Sequence, residues 1–299
     1  MNYKIIKLIF IIFFIPNAYS KDLANYFKIS KELKLIKVYS NGLIITESKN
    51  YLFLNSNGIP NHKTGHFPSR SNPHRISPQS HKLRITKKPK KQINSTPSRF
   101  FGIALNGVMF APSTAECWDN KNQVQDFQRR KNKTNNIKRP TPKRLRNNKD
   151  CNWREEAIVN GEKRLGLDNN FAHVQPSGMY HYHGTPTGLI ESLNIGKTHN
   201  DLIHVGYAGD GFKIFISKGN KYKSSYKLKS GNRINGPPGR FDGTYTQDFK
   251  FISTHGDLDK CNGLQTKNEY FYIITNNFPF IPRCWYGKPD PSFLSRPDR

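Results

Sequence analysis

Two Asn-Gly pairs, each set between runs of β-branched and aromatic residues, constrain this chain more than any other feature. Asn41-Gly42 divides LIKVYS from LIITES, and Asn106-Gly107 divides RFFGIAL from VMFAP. Asn-Gly supplies the positive φ angles of a tight hairpin turn, so both stretches predict antiparallel strand pairs. LIHVGYAGDGFKIFIS (Leu202 to Ser217) repeats the scheme around Gly209-Asp210-Gly211, and EYFYIITNNFPFIP adds a late aromatic strand. Helical periodicity is scarce. Its best candidate is NWREEAIVNGEKRLG (Asn152 to Gly166), with Gly161 limiting its length. The prediction is a mainly β, antiparallel sandwich or barrel-like fold with many short strands and hairpins and little helix. One β-rich domain over residues 21–299 suits the length, with a basic insertion at about 119–150.

The first residues set the expected compartment. MNYKIIK is basic, LIFIIFFIP is apolar, and Ala18-Tyr19-Ser20 is a small-x-small cleavage signature, which together predict a signal peptide over residues 1–20. The apolar run is shorter than the roughly 20 residues of a spanning helix, so no transmembrane segment is expected after cleavage near Ser20. The expected location is outside the cell or in the periplasm and cell envelope. In that oxidising setting the four cysteines predict disulfides rather than a thiol site. Cys117–Cys151 and Cys261–Cys284 are the favoured pairs, because each closes a local loop around a segment poor in core residues.

Lys and Arg number 48 against 21 Asp and Glu, a net charge of +27. Such excess attracts polyanions. Its densest block, Asp119 to Asp150, holds 11 Lys/Arg against 3 Asp, and Lys82 to Lys91 forms a second. Neither has regularly spaced stacking aromatics, so a nucleic-acid partner is not expected. An anionic extracellular polymer fits better.

The chemistry concentrates in QPSGMYHYHGTPTG, Gln175 to Gly188. Strand residues alternate faces, so Met179, His181 and His183 point one way and Tyr180 and Tyr182 the other. The preceding FAHV folds back through Pro-Ser-Gly. A three-residue loop, Pro176 to Gly178, places His173 opposite His181 and brings three imidazoles to one face. A two-residue loop pairs Val174 with His181 and sends His173 to the opposite face. Register decides between a site and ordinary strand polarity.

Neutral imidazole is a general ligand for zinc and copper. His181 and His183, with His173 third, form the expected metal set, and Asp210 and His62 are further candidates from distant loops. His66 shares the His62 loop. Tyr180, Tyr182, Met179 and Asp168 are expected around the ligands, the Met179 thioether tilting the choice toward copper. The chain lacks H-E-x-x-H, G-x-S-x-G and a phosphate loop. A cupin carboxylate is missing too, since Glu191 comes eight residues after His183. Catalytic residues are therefore not assigned, although a metal-dependent hydrolase or oxidoreductase is compatible.

Seven blocks together resemble the YHYH-domain family: NGIPNHKTGHFP, LNGVMFAP, LGLDNNFAHVQPSGMYHYHGTPTGL, GYAGDGFKIF, FDGTYTQDF, LDKCNG and FPFIPRCWYG, in that order from Asn57 to Gly287. The resemblance implies an exported protein and carries over no catalytic residue. This chain departs from the family pattern where Lys213 stands after Gly-Phe in place of a proline, and in the basic insertion. The functional expectation is an exported metal-binding protein. The alternative is an adhesion module for an anionic glycan or surface polymer.

Overall fold

The computed structural model describes residues 34–38, 42–118, 151–193 and 201–294. The signal segment, Asn41 and the 119–150 insertion lie outside the described residues. Four strands, β1 (Lys34–Val38), β2 (Leu43–Glu47), β3 (Tyr51–Ser56) and β4 (His81–Thr86), form an antiparallel sheet in sequence order. β4 shows why it folds this way. His81, Leu83 and Ile85 are buried while Lys82 and Arg84 face solvent, the alternation of a half-covered sheet.

The following strands are β5 (Thr96–Pro97), β6 (Gly102–Ala104), β7 (Met109–Phe110), β8 (Ile158–Val159), β9 (Glu162–Lys163), β10 (Ala172–Val174) and β11 (Tyr180–Tyr182). After the short helix α1 (Thr187–Ser192) come β12 (Leu202–Ala208), β13 (Lys213–Ser217), β14 (Tyr226–Leu228), β15 (Phe249–Phe251), β16 (Gly263–Gln265), β17 (Tyr270–Ile274) and β18 (Cys284–Trp285). Eight of them make the main sheet, in the order β10-β11-β7-β6-β12-β13-β17-β16. β6, β7, β11 and β17 are buried along their whole length, so both faces of this sheet are covered there. Trp285 closes the core and donates its indole N–H to the Phe101 carbonyl at 2.8 Å.

The protein is mainly β, with many short strands, and the described residues form no closed barrel. The hairpins β6–β7 and β12–β13 form where the turns predict them. β1 and β2 also pair, antiparallel. The main sheet is mixed rather than wholly antiparallel, because β11 runs parallel to β7 and β13 to β17. Long excursions separate the members of each pair, and only a long connection permits parallel pairing.

The expected helix over Asn152 to Gly166 is not formed. Its centre is the β8–β9 hairpin, with Ile158 opposite Lys163 and Val159 opposite Glu162. Asn160 (φ 51°) and Gly161 (φ 80°) make the turn. This further Asn-Gly pair outweighs the weak helical pattern around it, since both residues adopt the positive φ angles of a two-residue hairpin.

Both favoured disulfides are present. Cys117–Cys151 has a Cα–Cα distance of 5.8 Å and Cys261–Cys284 one of 5.1 Å. The first joins the two ends of the basic insertion. The second ties the β16 approach to β18. Among the described residues no helix is long and apolar enough to cross a membrane.

Candidate metal centre

β10 and β11 pair with His173 opposite His181 and Val174 opposite Tyr180. The connecting loop has three residues: Gln175 N–H donates to the Met179 carbonyl at 3.1 Å, and Gly178 N–H donates to the Gln175 carbonyl at 2.8 Å. The sequence left two registers open, and this is the one that gathers the imidazoles. Just past β11, His183 N–H donates to the Phe171 carbonyl at 2.7 Å, which holds the third ring beside the first two.

The three rings form a tight cluster. His183 Nε2 lies 3.0 Å from His181 Nε2 and 3.2 Å from His173 Nε2. The outer nitrogens of two rings are anchored. His173 Nδ1 donates to the Leu165 carbonyl at 2.9 Å, and His181 Nδ1 donates to the Met179 carbonyl at 3.1 Å. A carbonyl only accepts, so each Nδ1 carries the hydrogen and each Nε2 presents a lone pair inward. His183 has at most one Nε2 hydrogen to share between two such neighbours. One of its two short contacts therefore sets lone pair against lone pair. A cation at the centre resolves that conflict. Three nitrogens bound tetrahedrally at 2.0–2.1 Å lie about 3.3 Å apart, close to the two spacings measured from His183.

The imidazoles are also held neutral. Burial lowers all three, taking His181 down to about 3 and His183 well below its ordinary value, with the neighbouring rings adding to the effect. The Arg283 guanidinium adds a smaller push on His183. Neutral imidazole with its second nitrogen tied to a backbone carbonyl is the form that binds metal.

The remaining candidates divide by strand face. Met179 is fully buried within the apolar core and meets the cluster through its carbonyl. The tyrosines lie behind the strand. Tyr182 Oη accepts from Asn106 Nδ2 at 2.8 Å and is 2.5 Å from His62 Nε2, so His62 joins Tyr182 and not the other imidazoles. Tyr180 Oη donates to Asp168 Oδ2 at 2.7 Å, and Asp168 further accepts from the N–H groups of Gly65, Asn170 and Ala172. That carboxylate organises the loop before β10. Asp210 lies in the β12–β13 turn and accepts from Tyr272 Oη at 2.6 Å and Gly287 N–H at 2.9 Å. Burial pushes its carboxyl up to about 6. His66 is exposed. Among the described residues, the one group of His, Cys, Asp and Glu side chains placed to hold a metal ion is His173, His181 and His183.

Sequence reasoning missed two elements of this region. Leu165 positions His173, and its φ of 56° gives a local reason for its placement that the sequence does not announce. Asn106 is legible in the sequence only as a turn residue, whereas its buried amide also reaches the back of β11.

Fold and site define a mainly β, disulfide-bonded protein whose buried three-imidazole cluster could hold a metal ion. The chain belongs to the YHYH protein family, which it matches over residues 82–287. No curated protein and no solved structure matches it.

Proposed function

We propose that this protein binds one transition-metal ion, zinc or copper, through the Nε2 atoms of His173, His181 and His183. The carrying observation is the inward convergence of those three atoms, with two of the rings fixed from behind by backbone carbonyls. An all-imidazole donor set suits either metal. Three protein ligands leave a fourth position for water or substrate, where a bound metal polarises an oxygen or activates water. His62 and Asp210 stay outside the ligand set in this reading. Two disulfides support folding in an oxidising compartment, outside the cytoplasm. Residues 21–299 are taken as one unit that follows a cleaved signal segment.

Element-resolved metal content of the exported, untagged protein tests the reading, beside a variant carrying His181→Ala and His183→Ala. The expected result is near one equivalent of zinc or copper in the parent and none in the folded variant. A parent that stays metal-free after reconstitution refutes it.

A second reading, adhesion to an anionic glycan, has one observation in its favour. A groove of about 490 Å³ is lined by Lys87, Lys91 and Lys213 together with Tyr207, Phe212 and Tyr270. Two of those lysines come from the Lys82–Lys91 block. Binding of a uronate oligosaccharide that weakens with salt and with Lys213→Ala supports it; salt-independent binding counts against it.

A further inference from the structure

A patch of buried hydrogen-bond donors near His183 plays no part in the metal reading. β5 and β18 pair with Cys284 opposite Pro97, and Ser98 N–H donates to the Arg283 carbonyl at 2.9 Å, so Ser98 stands opposite Arg283. Opposed residues of an antiparallel pair share a face, with Cβ atoms about 4.5–5.5 Å apart. Ser98 Oγ and Arg283 Nε are both buried and have no hydrogen-bond partner among the described residues. Both can donate, and leaving a buried donor unmet is destabilising. An acceptor between them removes that cost.

The surrounding charge says what kind of acceptor. Arg283 Nη2 donates to Glu156 Oε2 at 2.6 Å, and its guanidinium lies over the Phe278 ring. The other Glu156 oxygen accepts from Thr246 Oγ1 at 2.5 Å. Arg154, half-buried, donates from Nη1 to the Thr114 carbonyl at 2.8 Å. Burial lowers the Arg154 pKa first, and the charges of Arg283 and Arg99 lower it further, while Glu156 opposes them. Two more acids lie in this region, but Glu155 interacts with Arg164 and Glu116, and Glu116 acts on His173. The Arg283 and Arg154 guanidiniums thus share one buried carboxylate, Glu156, and the Arg99 charge acts on Arg154. Guanidinium forks match oxyanions in both charge and geometry.

A short stretch of chain connects the patch to the histidine cluster. Ala111 N–H donates to the carbonyl of Tyr182, between His181 and His183. Thr114, which holds Arg154, follows three residues later, a reach of at most about 11 Å. From the other side, the charge of Arg283 is felt by His183.

We propose that Arg283, Arg154 and Ser98 form a binding site for a tetrahedral oxyanion, either inorganic phosphate or the phosphate group of an ester. Arg283 Nε and Ser98 Oγ donate to two of its oxygens, and Arg154 balances its charge. The role of this site as a substrate anchor rests on the metal reading, because the anion would sit beside the open metal position. The site itself needs no metal.

Calorimetric titration of the full chain with inorganic phosphate and with methyl phosphate, in metal-free and zinc-loaded protein, tests this. One saturable site is expected. Arg154→Gln should weaken it about tenfold and Ser98→Ala severalfold, with circular dichroism and metal content unchanged. Arg283→Lys keeps a cation beside Glu156 but removes Nε, and should weaken binding likewise. Tighter binding of methyl phosphate identifies an ester as the ligand; tighter binding of inorganic phosphate identifies the free anion. Saturable phosphate binding retained by the His181→Ala/His183→Ala protein supports the site even if that protein and its parent both lack metal. No saturable binding in either metal state overturns the proposal, as does binding that ignores all three variants at Arg154, Ser98 and Arg283.

Discussion

His173 and His181 face each other across β10 and β11 with ring centroids 4.7 Å apart, and the loop Pro176 to Gly178 sets them there. Side chains alternate along a strand, so one residue more or less in that loop exchanges the faces of a whole strand. The imidazole cluster is therefore a property of loop length as much as of histidine content.

Deleting Ser177 should dismantle the cluster without removing a histidine. Keeping a three-residue loop then draws Met179 into it, so that Gln175 faces Tyr180, Val174 faces His181 and His173 turns away. The expected outcome is at least about a tenfold loss of metal affinity, since one of three ligands is withdrawn. Ser177→Ala keeps the loop length and should bind as the parent does. Metal titration of the two variants decides. Equal affinities would mean that the loop does not set the ligand face.

Tyr182→Phe tests the other face of the same strand. The phenol accepts from Asn106 and meets His62, so its loss strands one buried amide hydrogen of Asn106, whose amide also donates to Asn61 at 2.9 Å. A cost of about 1–2 kcal/mol in urea unfolding is expected, with metal content unchanged. Loss of metal in Tyr182→Phe would show that the faces of β11 are coupled.

Much of this arrangement can be read from local sequence, and the limits have physical causes. Asn-Gly turns mark the hairpins because two adjacent positive φ angles demand particular residues. The same rule applied to Asn160-Gly161 reveals the β8–β9 hairpin, although the charged helical pattern around it obscures the signal. Parallel pairing of β11 with β7 has no local signature, because it depends on how a long excursion returns. The inward face of β11 follows from period-two alternation. Which distant groups would join it does not, and the candidates Asp210 and His62 illustrate this. Asp210 is consumed by Tyr272 and Gly287, and His62 by Tyr182, partners far away in the chain.

Replacing Cys261 and Cys284 together by Ala should lower stability by about 3 kcal/mol, the loop-closure entropy returned to the unfolded chain across a separation of 23 residues. The β5–β18 pair, adjacent to Cys284, carries Ser98 opposite Arg283, so phosphate binding should weaken in the same variant. Urea unfolding and calorimetry give the two readouts. Unchanged stability would show that the bridge closes a loop already ordered without it.

His81 should make the fold acid-sensitive. It sits on the inward face of β4 with Leu83 and Ile85, and its Nε2 is buried without a partner. Burial alone pushes its pKa from 6.5 down to about 4. The unfolded state then binds the proton more readily than the folded state. The stabilisation is fully present above about pH 6.5 and is lost as the pH falls toward about 4, amounting to about 3 kcal/mol for a gap of about 2.5 units. His81→Leu removes the titrating group and its unmet nitrogen together. The metal-centre imidazoles are lowered in the same direction, but they occur in both proteins and cancel in the comparison. Between pH 7 and pH 4, the parent should therefore lose about 3 kcal/mol relative to His81→Leu in urea unfolding. Parallel pH profiles would place the acid sensitivity elsewhere in the chain.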